Sequence, residues 1–185
     1  MLKIRYQNAV SLLKLATPLI INNLAIAGIQ FTDAVMSGRL GSRELAAVAV
    51  GGSVWFLVFQ FYNGLMMAIS PIVARLYGAK QAALIGRYTR QACCLSLVAG
   101  IFVIFIMQTY VTSIMNIIGI DPEFRHLVVD YLKAIIFGAP GIFLFLVFRY
   151  TTEGIGYTRP VMYSSLIALI LNVFFNYVFI FGNFG

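Results

Sequence analysis

The sequence predicts an all-α membrane protein, a bundle of five transmembrane helices with a cytoplasmic N-terminus. Three observations carry that prediction. Of the 185 residues, 61% are hydrophobic and 10% charged, for a mean hydropathy of +0.92; a soluble chain of this length has too little interior to hide so many apolar side chains. Five stretches, residues 15–32, 45–74, 91–120, 134–148 and 160–185, contain no Lys, Arg, Asp or Glu, and a membrane span needs about 20 such residues. These stretches are apolar on nearly all faces, whereas a helix covering a soluble core keeps a single apolar stripe. Runs such as LIALILNVFF and IFLFLVF are continuous and lack the alternation of barrel strands. A soluble globule, a disordered chain and a disulfide-stapled secreted domain are thereby excluded.

The helices are expected near residues 14–37, 47–73, 91–113, 130–150 and 161–181. Residues 1–14 are basic and mildly amphipathic, but the apolar run after them is too long for a signal peptide and offers no small-residue cleavage site, so it reads as a retained first helix. Gly38, Gly41 and Ser42 break the chain after it, and Gly78 and Lys80 follow the second helix. A long connector with four basic residues then leads to the third. Asp121-Pro122-Glu123 has the form of an N-cap with Pro in the first turn, opening a short helical approach to the fourth span. Gly154, Gly156 and Pro160 punctuate the approach to the fifth. Pro18 on the first helix, and Gly138 with Pro140 on the fourth, weaken backbone hydrogen bonds where a span could bend.

Thirteen Lys and Arg against six Asp and Glu give a net charge of +7. In a membrane chain this excess records orientation rather than a nucleic-acid partner. With the N-terminus inside, nine basic residues are cytoplasmic: Lys3, Arg5, Lys14, Arg75, Lys80, Arg87, Arg90, Arg149 and Arg159. Four are outside: Arg39, Arg43, Arg125 and Lys133. That bias fits a multi-pass protein of the cell (inner or plasma) membrane, with lipid as its first partner. Cys93 and Cys94 are adjacent in an apolar run and read as packing residues.

Polar groups inside the spans carry the functional signal, since each must find a partner without water. At 100° per residue, Asn22, Asn23, Gln30, Asp33 and Ser37 share an arc of about 100° on the first helix. A membrane Asp costs about 2.5–3.5 kcal/mol to insert at a helix centre. Asp33 is therefore a candidate proton carrier or hard-cation ligand, the favoured reading; its proximity to Arg39 leaves as the alternative an interfacial carboxylate that snorkels or pairs locally. On the fifth helix Ser165, Asn172, Asn176 and Asn183 fall within about 40°; their amides suit cation ligation or helix cross-linking. Ser53, Gln60, Asn63 and Ser70 share a third arc and either line a cavity or make helix contacts. Glu153 reads as a local ion-pair partner of Arg149 or Arg159.

Enzyme chemistry finds no foothold. His126 is the only histidine, in an outer connector, and no HExxH, P-loop, GxSxG or GxGxxG sequence occurs. No cofactor is implied by these residues beyond a proton or a hard cation such as Na⁺ at Asp33.

Several ordered blocks resemble the N-terminal lobe of a multidrug and toxic compound extrusion (MATE) transporter of the NorM type. They are LATP with Pro18, DAVMSGRLGSRELAAVAV with Asp33, GLMMAISPIVARLYGA with Pro71, DYLKAIIFGAP, RYTTEGIGYTRPVM and LNVFFNYVFIFG. Arg75 departs from the resemblance, standing where relatives often carry Gln. The resemblance implies one part of a twelve-helix protein built from two six-helix bundles, which exchanges Na⁺ or H⁺, as the coupling ion, for organic, often cationic, drugs. By the same resemblance Asp33 is the N-lobe coupling carboxylate, Asn172 and Asn176 are its neighbours and a Na⁺ site with it, and Pro18 marks a first-helix hinge. Asn22, Gln30, Gln60 and Asn63 are then candidate cavity-lining residues. The sixth helix and the C-terminal lobe lie outside residues 1–185, and that lobe is the expected partner. The alternative expectation is a truncated membrane interaction or assembly protein that does not transport.

Overall fold

The computed structural model describes residues 2–180 and Gly182, with side chains at residues 12, 13 and 16–179. The side chains of Lys3, Arg5 and Lys14, together with Phe181, Asn183 and the end of the fifth expected helix at 181, lie outside the described residues. Among the described residues seven α-helices follow in order: α1 (Leu2–Gly38), α2 (Ser42–Met67), α3 (Ile69–Gly78), α4 (Ala82–Ile118), α5 (Pro122–Ile135), α6 (Ala139–Gly154) and α7 (Arg159–Ile180), with a 3₁₀ turn at Ile136–Gly138 between α5 and α6. They make five segments long and apolar enough to cross a membrane: Ala16–Gly38, Ser42–Gly78, Ala82–Ile118, Pro122–Gly154 and Arg159–Phe179. Large apolar side chains ring the outside, among them Phe61, Ile117 and Phe179, each at least 74% exposed, as lipid-facing surfaces require.

The helices run further than expected, and this corrects one boundary. The connector between the second and third spans is short: Arg75 lies on α3, Arg87 and Arg90 lie on α4, and only residues 79–81 separate the two helices. Charged residues do not end a helix; loss of backbone hydrogen bonding does, and here Lys80 supplies the turn with φ 59°. At the other end of α4, Gly119 takes the left-handed conformation at φ 78°, and the N–H of Ile120 donates to the Met115 carbonyl, a Schellman-type stop. The expected cap at Asp121 is present, its side chain accepting from the Glu123 N–H with Pro122 at the first helical position. Arg43, at the start of α2, pairs there with Glu123.

Two spans are broken, each a few residues before a proline. α2 gives way to α3 at Ala68, and Pro71 has no N–H to offer the Met67 carbonyl. The 3₁₀ turn at Ile136–Gly138 stands in the same relation to Pro140. α1, by contrast, continues unbroken through Pro18.

The core forms where α2, α4 and α6 meet. Tyr62 stacks on Phe143 with ring centroids 3.7 Å apart, and its hydroxyl meets Ser96 Oγ at 2.5 Å. Glycines allow the closest crossings: a Cβ at Gly100 would stand 2.7 Å from Pro140 Cα, and one at Gly154 would stand 2.7 Å from the Ser70 carbonyl oxygen. Small residues let backbones approach where burial of apolar area cannot drive helix association. The Tyr150 hydroxyl donates to Asn63 Oδ1 at 2.7 Å, tying α6 to α2 near the Ala68 break. Tyr150→Phe should lower stability by about 1 kcal/mol, and adding Asn63→Leu should cost less than the two single changes summed, as a double-mutant cycle of thermal unfolding would register.

α1 packs chiefly against α7. Gly28 faces Leu169 and Asp33 faces Asn172 and Asn176, so contacts advance in the same sense along both helices. The pair is parallel, as the first and fifth crossings of a membrane must be.

Candidate functional site

Asp33 sits five residues from the end of α1, half-buried against α7. Asn172 and Asn176, one turn apart on α7, both turn inward. Asn172 Nδ2 donates to Asp33 Oδ1 at 2.8 Å and Asn176 Nδ2 donates to the same oxygen at 2.6 Å. The two amides are themselves in contact, with Asn176 Nδ2 3.4 Å from Asn172 Oδ1. Hydrogen bonds to a charged group contribute about 1.5–3 kcal/mol each, so the pair is of the size needed to offset the insertion penalty of about 2.5–3.5 kcal/mol for an ionised Asp. The carboxylate is partnered across the helix interface and has no ion pair, which disposes of local pairing with Arg39 among the described residues.

An Asn amide carries donors on one side and an acceptor on the other. With the NH₂ groups inward, the site suits an anionic Asp33. Turned by half a rotation, the same two side chains would present oxygens to a cation or to a protonated carboxyl. Among the described residues no three His, Cys, Asp or Glu side chains gather as a metal cluster; any cation held here would rest on one carboxylate and amide oxygens, a donor set for a hard, weakly held ion.

The other candidates divide. Asn22 is fully buried and its Oδ1 has no hydrogen-bond partner; Gln30 and Gln60 are exposed on their helix faces. Asn63 is engaged by Tyr150, a helix contact. Ser165 is buried and bonds the Met162 carbonyl of its own helix. Glu153 accepts from Arg149 Nε at 2.8 Å, a half-buried pair at the end of α6. Sequence reading missed Tyr131 of α5, which lies within electrostatic reach of Asp33 and is admitted by Gly51 of α2, where a Cβ would stand 2.5 Å from its ring. Periodicity within one helix carries no signal for such a three-helix juxtaposition.

Residues 18–178 match the MatE family. The chain belongs to the MatE family. Two solved structures share its fold. One is a MOP-superfamily transporter from Pyrococcus furiosus, described by a binding pocket of reverse polarity that suggests a different function; it is 23% identical with a TM-score of 0.86. The other is a multidrug resistance MATE-family transporter of the same superfamily in an outward-facing conformation, 23% identical with a TM-score of 0.87. In both cases the match covers 95% of this chain and 39% of the other. MatE proteins are transporters rather than enzymes, and the five spans have the order and packing of part of that fold.

Proposed function

We propose that the chain forms the N-terminal lobe, without its sixth helix, of a NorM-like, cation-coupled multidrug antiporter with a cytoplasmic N-terminus, in which Asp33 with Asn172 and Asn176 holds the coupling Na⁺ or H⁺. The observation that carries this reading is a carboxylate placed within a span and held by two amides from another helix. In the ion-free state the amides donate to the anion. Binding a proton or Na⁺ removes the charge that the donors satisfy, favours reversal of the amides and alters the α1–α7 contact. Pro18, where the unbroken α1 lacks one backbone hydrogen bond, is the hinge through which that change would reach the rest of α1. Occupancy by ion and by an organic cation is then mutually unfavourable, and linkage makes the effect reciprocal.

A second lobe completes the pathway, since alternating access needs one bundle to rock against another. The native gene product is accordingly expected to exceed 20.5 kDa when its intact mass is measured from its own membrane. A product of 20.5 kDa would favour an assembly protein that does not transport. In the full-length protein, Asn172→Ala and Asn176→Ala should each weaken ion-driven efflux roughly fivefold, at the lower end of usual coupling energies, while membrane insertion stays intact. Unchanged efflux with both residues replaced would remove the amides from the mechanism.

A further inference from the structure

α3 and α4 form an antiparallel hairpin, and a groove of about 210 Å³ runs between them. Its inner wall includes Val73, fully buried, while Ile72 and Leu95 stand exposed along its length. Tyr88 and Gln91 add a hydroxyl and an amide toward the basic end of the bundle. At 100° per residue, Arg75 lies about 60° around α3 from Ile72, and Arg87 about 40° around α4 from Gln91. Each residue therefore lies on the side of its helix away from the inner wall, at the outer edge of the groove. Both are exposed and neither has an ion-pair partner among the described residues. Lys80 and Arg90 are close by in sequence, and no Asp or Glu occurs between Glu44 and Asp121.

We propose that this groove binds an anionic phospholipid of the surrounding bilayer. Its phosphate lies between Arg75 and Arg87, with Tyr88 and Gln91 near the glycerol esters and an acyl chain along Ile72 and Leu95. Guanidinium groups favour phosphate through paired, charge-assisted hydrogen bonds. Depth also agrees. Arg75 is six residues from Ile69 and Arg87 eight from Leu95, about 9 and 12 Å along the helices, so charge sits at the headgroup level and the apolar walls beneath it. A second copy would bring two cationic faces together, and a soluble anion would leave the apolar groove unfilled. The site stands apart from Asp33, on a different pair of helices.

The full-length protein in detergent would be titrated with phosphatidylglycerol and with phosphatidylcholine of the same chains, and bound lipid counted by native mass spectrometry. Phosphatidylglycerol is expected to bind about tenfold or more tightly, given two basic residues at the headgroup. Arg75→Gln with Arg87→Gln should reduce it to the phosphatidylcholine level, whereas Arg39→Gln with Arg43→Gln, an equal loss of charge at the other end, should leave it unchanged. Ile72→Trp with Leu95→Trp, which fills the groove without touching the charge, should also weaken binding. Equal affinity for both lipids, or equal losses from the two arginine pairs, would overturn the proposal. Full competition by glycerol phosphate would assign the site to a soluble anion. Undiminished binding in the tryptophan variant would reduce it to headgroup adsorption.

Discussion

Asp33→Asn in the full-length protein is expected to bring efflux of an organic cation, driven by a Na⁺ or H⁺ gradient across membrane vesicles, down to the level of vesicles without the transporter. The loss should exceed that from either Asn variant, because this substitution removes the carboxylate charge itself, whereas each Asn variant removes one hydrogen bond to it. A loss of this size lies at the upper end of the coupling energies of linked sites, about 3 kcal/mol or 150-fold. Asn is nearly isosteric with Asp and can meet Asn172 and Asn176 with its own oxygen, so folding should survive. Expression and thermal unfolding close to those of the unsubstituted protein, alongside lost efflux, are therefore the expected pattern. Full gradient-driven efflux in this variant would place the coupling group elsewhere.

The largest effect on stability is expected at Gly100. A Cβ there would meet Pro140 Cα at 2.7 Å and its nitrogen at 2.9 Å, and backbone atoms cannot turn aside as a side-chain tip can. Overpacking of this kind costs about 1–3 kcal/mol, and for a chain of this size that corresponds to roughly 2–12 °C in Tm. Gly100→Leu should exceed Gly100→Ala. At Gly86, on the same helix, an added Cβ would have nothing within 4 Å, so Gly86→Ala should be neutral or stabilising by about 0.4–1 kcal/mol. Thermal unfolding of the three purified variants tests the contrast; equal behaviour of Gly100→Ala and Gly86→Ala would mean that α4 and α6 do not cross there.

The five spans were legible in the sequence because lipid demands uncharged length on all faces of a helix, a property of each segment alone. The cap at Asp121 and the weak point before Pro140 were legible for the same reason, being governed by residues within a turn or two. Helix ends were less so: Arg75, Arg87 and Arg90 suggested a connector, but charged side chains tolerate a helix in the headgroup region. The break at Ala68 was missed although Pro71 marks it: Pro140 stands beside Gly138, whereas the turn before Pro71 contains no glycine to draw attention to it. At the site, the arcs of Asp33 on α1 and of Asn172 and Asn176 on α7 were each visible from helical spacing. That the arcs face one another depends on the parallel packing of α1 with α7. The role of Asn63 shows the converse, since its partner Tyr150 lies 87 residues away and no spacing rule links them.

The central claim is that Asp33, with Asn172 and Asn176, holds the ion that an organic cation displaces. It is tested most directly by adding a lipophilic organic cation to the purified full-length protein and measuring the release of bound ²²Na⁺ and of protons into weakly buffered solution. The account predicts release of one of these ions in proportion to cation bound, and none from Asp33→Asn even where that variant still binds the cation. Equal release from both proteins would contradict it.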